Sequence, residues 1–122
     1  MEIWHLALAR DWETASTAGA YRVSTLGATL DEVGYIHSSR PHQAPGVAAR
    51  FYADVADPLA ILVMDDDAVR GAGTDVTYED AGAGELFPHI YGAIDPAWVR
   101  EALPAHMADG RLVIDGRSTP TL

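Results

Sequence analysis

Three short segments whose composition is typical of β-strands contain one histidine each: His5, His37 and His89. His37 shares its predicted strand face with Tyr35, and His89 shares its face with Tyr91. Successive side chains of a strand point to opposite faces, so each segment has one face that carries an imidazole. If the three faces point the same way, they form one polar, aromatic cleft with groups that titrate near neutral pH. The alternative is that each histidine is a hydrogen-bonded structural residue at a strand end.

A carboxylate in a fourth segment extends this set. Glu79 follows Tyr78 at the end of a predicted strand and has the chemistry of a general acid or base. The competing interpretation is an exposed carboxylate at a strand end, which is where unpaired glutamates usually lie. We predict His37, His89 and Glu79 as the catalytic residues.

Hydroxyl and guanidinium groups cluster directly after the second histidine. Residues 34–39 have the sequence Gly-Tyr-Ile-His-Ser-Ser and are followed by Arg40. An arginine beside two hydroxyls can hold a phosphate or a carboxylate. A strand-to-helix turn capped by Ser39 explains the same residues equally well. The residues predicted to bind a ligand are His5, Tyr35, Ser38, Ser39, Arg40 and Tyr91.

Metal binding is a weaker interpretation of the same histidines. His37 and His42 could share a metal with His89 or His5, but their spacing matches no regular metal-binding pattern. The run of aspartates at 65–67 is better explained as a solvated turn than as a calcium or magnesium site. We therefore predict no metal ligands, and a metal-dependent hydrolase is only the second alternative function.

Hydrophobic patterning indicates the elements that must position these residues. Strands are predicted at residues 3–8, 35–38, 59–64 (buried on both faces), 75–79, 87–91 and 111–114. Helices are predicted from Asp11 to Ala18 before Gly19, along Val47, Phe51 and Val55, and from Asp95-Pro96 to Leu103. Residues 20–34 and 65–73 are predicted to be irregular or turns. The result is a small single α+β domain over residues 1–115 with a mixed or antiparallel sheet, and a flexible tail at 116–122.

Composition limits the chemistry and the partners. The chain has 122 residues, a net charge of −10, no cysteine, and only arginine among its eight basic residues. Thiolate chemistry, disulfides, a lysine Schiff base and a P-loop lysine are therefore excluded. Strong negative charge disfavours nucleic acid and anionic membranes as partners. With no signal peptide and no apolar run of membrane-spanning length, we expect a cytoplasmic protein with a small-molecule ligand. The sequence carries no signal for an oligomeric state.

Two blocks of sequence resemble a known family. Gly34-Tyr-Ile-His-Ser-Ser39 and Leu86-Phe-Pro-His-Ile-Tyr-Gly92, with Val47–Tyr52 and Tyr78-Glu79 between them, resemble the domain-of-unknown-function family numbered 952. That family carries a GFIHCS block, a WE pair and an FPHIYG block in the same order, and the resemblance covers roughly residues 2–114. Serine stands at position 38 where the family usually has cysteine, so no thiol role is open to this member.

The resemblance implies an ADP-ribosyltransferase-like fold that binds NAD in the cleft of a split sheet. By that analogy His5 contacts a ribose, Tyr35 or Tyr91 packs on nicotinamide, and Glu79 stabilises a ribosyl cation. NAD or a related nucleotide is then the implied ligand, and the implied enzyme class is ADP-ribosyl transfer or NAD processing. The alternative is a non-catalytic ligand-binding or protein-interaction module.

Two further histidines and the charge of the ligand complete the expectation. His37 and His89 are additional to the roles above, and they would bind diphosphate when protonated or act as general acid and base. A dinucleotide is anionic and this protein is acidic, so Arg40, Arg10 or Arg22 would have to line the cleft.

Overall fold

The computed structural model describes residues 1–80 and 84–115 of the chain. These residues form nine strands, β1 (Glu2–Leu8), β2 (Val23–Thr25), β3 (Ala28–Thr29), β4 (Ile36–His37), β5 (Leu59–Asp65), β6 (Val76–Asp80), β7 (Leu86–Ile90), β8 (Glu101–Ala108) and β9 (Arg111–Ile114). They also form four α-helices, α1 (Ala9–Ala18), α2 (Leu30–Val33), α3 (Ala44–Phe51) and α4 (Asp66–Gly71), and two 3-10 turns at Pro41–Gln43 and Pro96–Trp98. The predicted α+β class is confirmed, with nine strands in the described residues where six were predicted.

The strands pair antiparallel in three sheets. The largest has the order β1-β5-β8-β9, the second has the order β4-β7-β6, and β2 pairs with β3. Two backbone hydrogen bonds of 2.7 and 2.8 Å between Trp4 and Ser39 join β1 to the chain just after β4. The two larger sheets are therefore connected beside His37.

Strand β5 lies inside the largest sheet and is buried on both faces, as its apolar sequence predicted. Ile61 packs in a cluster with Ala48 of α3, and Leu62 packs in a second cluster with Ile90 of β7. Helix α3 therefore covers one face of this sheet, and the second sheet contributes to the core on the other face.

His5 belongs to the interior between the two sheets. It is only 1% exposed, and its neighbours on the same strand face, Ile3 and Ala7, are core residues. Its Nδ1 lies 2.7 Å from the backbone carbonyl of His37, and its Nε2 lies 2.9 Å from the hydroxyl of Tyr21. Both ring nitrogens thus hold β4 and the chain at residue 21 against β1.

The amino-terminal third departs from the sequence-based expectation in two places. Helix α1 begins at Ala9, before the predicted cap Asp11, although Gly19 ends it in the left-handed conformation as predicted. Residues 20–34 are not irregular, because they contain β2, β3 and α2. Thr29 and Glu32 form a capping box that starts α2 and was not recognised in the sequence.

The end of one helix and one predicted turn also differ from the sequence-based expectation. Helix α3 ends at Phe51 rather than at Val55. The predicted turn at residues 65–73 is mostly the short helix α4, because the Asp65 carboxylate accepts from the backbone N–H groups of Asp67 and Ala68 and caps it.

The predicted helix from Asp95 to Leu103 was wrong. Asp95 does cap a turn, but that turn covers only Pro96–Trp98, and the chain then forms β8. In β8 the buried residues Leu103 and Ala105 alternate with more exposed ones, so the strand period governs this segment.

The predicted tail at residues 116–122 lies outside the described residues. No helix of the described part of the chain has the length and apolarity to cross a bilayer.

The burial of β5 on both faces gives a stability test. Ile61→Ala and Leu62→Ala should each lower the free energy of unfolding by roughly 2–5 kcal/mol, because each removes a side chain from a different buried cluster. Urea unfolding measures both, with Thr77→Ala at an exposed position of β6 as a control that should change it by about 0.5 kcal/mol or less. A large loss at only one of the two positions would contradict a strand buried on both faces.

Candidate functional site

His37 and His89 face each other across the second sheet. They are directly paired residues of the antiparallel strands β4 and β7, as Ile36 and Ile90 are beside them. Nδ1 of His37 lies 3.3 Å from Nε2 of His89, a long hydrogen bond. The alternation that places both isoleucines in the core therefore places both imidazoles on the opposite face.

A carboxylate and a phenol continue this pair towards the surface. Glu79 of β6 places Oε1 2.8 Å from Nδ1 of His89 and 2.5 Å from the hydroxyl of Tyr91. His89 is 2% exposed, whereas Tyr91 is 43% exposed. The four side chains form one chain of hydrogen bonds from an exposed phenol to His37. We call Tyr91, Glu79, His89 and His37 the relay.

The carboxylate fixes the direction of the hydrogen bonds in the relay. The hydroxyl of Tyr91 and Nδ1 of His89 both donate to Glu79 and hold the pKa of its carboxyl below the usual range. An ionised carboxylate only accepts, so Nδ1 of His89 carries a hydrogen. When His89 is neutral, its Nε2 accepts from Nδ1 of His37. Nε2 of His37 is then an unprotonated lone pair at the end of the relay.

Burial keeps His37 neutral. Desolvation, and secondly the neighbouring His89, lower the pKa of His37 to about 4. The hydrogen bond to Glu79 is the largest cause that raises the pKa of Tyr91, to about 12. At pH 7 the relay therefore has an anionic carboxylate near the surface, a neutral phenol, and a neutral imidazole at the inner end.

Tyr35 lies over the relay. Its ring stacks on His89 with centroids 4.0 Å apart and planes inclined by 11°, and it contacts Tyr91 at 5.5 Å. Because one face of the His89 ring is covered, the imidazole is held in the orientation that both of its hydrogen bonds need.

His37 and Tyr35 also line an open cleft of about 340 Å³ between α3 and the second sheet. Its other walls are Ser24, Thr25, Val33, Gln43, Gly46, Val47, Arg50, Phe51, Glu85 and Phe87. The volume lies at the small end of the range for small-molecule sites, roughly 300–1,000 Å³. His37 is thus the member of the relay that reaches a cavity able to hold a ligand.

Other predicted site residues lie elsewhere. His5 does not line the cleft, because it is in the core with both nitrogens bonded to protein groups. Ser38 and Ser39 are buried and line a small inner chamber beside the cleft. The guanidinium of Arg40 contacts the backbone oxygen of Glu2 and the sulfur of Met1.

The cationic residue of the cleft is one that sequence reasoning missed. Arg10 pairs with Asp57 and Arg22 with Asp31, and neither lines the cleft. Arg50 of α3 does, with its guanidinium carbon 5.1 Å from the ring centroid of Phe51.

Phe51 was predicted to belong to the apolar face of a longer helix. It is instead 46% exposed at the cleft mouth. The sequence signal that could have located Phe51 is its position next to Arg50 at the end of the helix. Helical periodicity does not take that neighbour into account.

His37 and His89 approach each other, but no third histidine considered as a metal ligand joins them among the described residues. Among residues 1–80 and 84–115, the one group of three potential ligands within mutual reach is Asp65, Asp66 and Asp67 at the start of α4. His42 is exposed and is not among the residues that line the cleft.

Comparison with known proteins gives a family and a fold. The family model described as "Protein of unknown function (DUF952)" matches residues 6–102. The chain belongs to the DUF952 family. The crystal structure of protein CC0527 from Caulobacter crescentus is 24% identical, with a TM-score of 0.78 over 93% of this chain and 94% of that one, and a double mutant of the same protein matches equally well. No curated protein matches the chain. These likenesses establish the fold of this DUF952 member.

The buried His5 gives a pH prediction. Burial lowers its pKa from 6.5 to about 4 in the folded protein, so the unfolded chain binds this proton more tightly and acid favours unfolding. Between pH 7 and pH 5, His5 should lower the free energy of unfolding by about 2 kcal/mol. Urea unfolding of wild type and His5→Gln at both pH values measures this contribution. Equal pH dependence in the two proteins would contradict it.

Proposed function

We propose that this protein is an enzyme that binds an anionic, ring-bearing small molecule, NAD or a related nucleotide, in the cleft and uses His37 as a general base. The observation that carries the proposal is the continuous relay from the exposed Tyr91 to His37 at the cleft. A structural histidine needs one or two partners. It does not need an ionised carboxylate aligned behind a second imidazole.

The relay moves the positive charge that His37 would gain on protonation to His89. When Nε2 of His37 takes up a proton, Nδ1 passes its own proton to Nε2 of His89. The positive charge then lies on His89, directly against the carboxylate of Glu79, at a distance of 2.8 Å. Glu79 thus stabilises the product of proton transfer without touching the ligand, as the carboxylate of a catalytic triad does.

The walls of the cleft support an anionic ligand with a flat ring. In the part of the chain that the structure describes, Arg50 is the cationic side chain of the cleft at pH 7, and no carboxylate forms an ion pair with it. Guanidinium groups bind phosphate and carboxylate in a bidentate manner. Phe51 and Phe87 offer aromatic surfaces on which a planar ring packs.

The size of the cleft favours one nucleotide unit. A volume of about 340 Å³ accommodates a base with its ribose or a comparable fragment, and the rest of a dinucleotide would extend past Arg50 and Phe51. The ribose role that the ADP-ribosyltransferase analogy gives to His5 does not transfer, because both nitrogens of His5 are engaged in the core. The proposal therefore rests on His37 and Arg50 and not on that analogy.

A binding module is the second candidate, and the rim of the cleft favours it. Two of the exposed large hydrophobic residues, Val33 and Phe51, line the cleft. Exposed apolar residues gathered around one cavity are typical of a binding surface.

Binding is tested by NMR titration with NAD, ADP-ribose and adenosine. The side-chain signals of His37 and Arg50 should shift with the two phosphate-bearing ligands, while those of His5 should not. Arg50→Gln should weaken binding about 10-fold, or 1.4 kcal/mol, because it removes a charge-assisted contact. Arg40→Gln is the matched control and should leave the affinity unchanged. Absence of shifts at His37 with millimolar NAD and ADP-ribose would refute the nucleotide proposal.

Catalysis is tested by turnover of the same nucleotides. His37→Gln and Glu79→Gln should each lower kcat by roughly 10²-fold or more with KM changed only a few-fold, since both affect proton transfer rather than binding. Tyr91→Phe keeps the contact between His89 and Glu79 and should have a smaller effect. If wild type binds NAD or ADP-ribose but turns neither over, the catalytic assignment fails and the binding module is favoured.

A further inference from the structure

A small chamber lies beside the cleft, deeper in the protein. Its volume is about 10 Å³, and it shares four wall residues with the cleft: Ser24, Thr25, His37 and Val47. The inner walls come from β1, β5, α3 and the segment after β4, and they are Trp4, Leu6, Ser38, Ser39, Ala44, Tyr52 and Ile61. About 10–15 Å³ of such space is what a single water molecule needs.

Two buried polar atoms belong to residues that line this chamber. Nε2 of His37 and Oγ of Ser38 have no hydrogen-bond partner among the described residues. Ser38 is 1% exposed. More than nine-tenths of buried polar groups in proteins are hydrogen-bonded to protein or to ordered water, and leaving one unpaired is costly. Two such atoms on residues that line one chamber therefore point to a shared partner there.

We propose that the chamber binds one ordered water molecule, which donates to Nε2 of His37 and accepts from the hydroxyl of Ser38. Ser24 supplies a third contact: its Oγ accepts from the backbone N–H of His37 at 3.2 Å, which leaves its own hydrogen available to donate. A buried water typically makes about three hydrogen bonds, so these residues meet its needs. A water that donates to Nε2 of His37 agrees with the direction of the hydrogen bonds in the relay, because that direction leaves Nε2 as an acceptor.

This water has a role if His37 is the base, a step that rests on the proposed function. Nε2 of His37 is buried, although its ring lines the cleft. A ligand in the cleft therefore reaches this nitrogen through the chamber, and the water is the group between them. It carries the proton to the relay.

A high-resolution crystal structure of the wild-type protein tests the site directly. The expected result is one water peak within hydrogen-bond distance of Oγ of Ser38 and Nε2 of His37. A chamber without such a peak, or one in which the two side chains are paired to other protein atoms, would overturn the proposal. This result does not depend on any ligand, so it stands or fails separately from nucleotide binding.

Two variants at one position test the contact in solution. Ser38→Val fills the chamber with methyl groups and should displace the water, so the ¹⁵N signal of Nε2 of His37 should move downfield, towards that of a lone pair without a hydrogen bond. Ser38→Ala leaves space for the water and is the matched control, with a smaller shift. If Ser38→Val folds and the signal is unchanged, the water is not bound there. If it does not fold, the wild-type crystal structure decides.

Discussion

The ionised carboxylate of Glu79 is the constraint on which the site depends. A chain of two imidazoles and a phenol can be protonated in several patterns, and each imidazole can donate through either nitrogen. The carboxylate of Glu79 can accept but cannot donate, so it removes this choice of hydrogen-bond direction at one end of the relay. It accepts from Tyr91 and His89, and when His89 is neutral it thereby assigns the free lone pair to His37, two residues away along the relay. An amide in its place would satisfy the same geometry but would leave the direction undetermined.

Glu79 can determine the protonation of His37 at the cleft only if β4 stays in register with β7. β4 is only two residues long, and such a strand has little stability of its own. His5 of β1 is hydrogen-bonded through Nδ1 to the backbone carbonyl of His37, and the backbone hydrogen bonds between Trp4 and Ser39 fix the residues that follow. A buried polar residue in the core of the large sheet therefore positions the backbone of the histidine that faces the cleft.

The sequence predicted which strand face carries His37 and which carries His89, because alternation along a strand is a local property. It did not predict that the two residues are direct cross-strand partners, because strand order is a tertiary property. It did not locate His5, since alternation says which residues share a face but not whether that face meets solvent, and β1 is buried on both sides. Helical periodicity likewise treats Phe51 as core. Its position at the cleft depends on where α3 ends against the second sheet, which is a tertiary property.

Net charge and local charge lead to different expectations for the ligand. A chain with a charge of −10 repels anions at long range, but physiological salt screens that repulsion over about 8 Å. Inside the cleft, what a bound group meets is set by the nearest side chains. Glu85 accepts from the side-chain amide of Gln43, whereas the guanidinium of Arg50 lies over Phe51 without a carboxylate partner in the described residues. For the anionic ligand that we propose, the net charge slows the approach, whereas Arg50 and Glu85 at the cleft decide whether it binds.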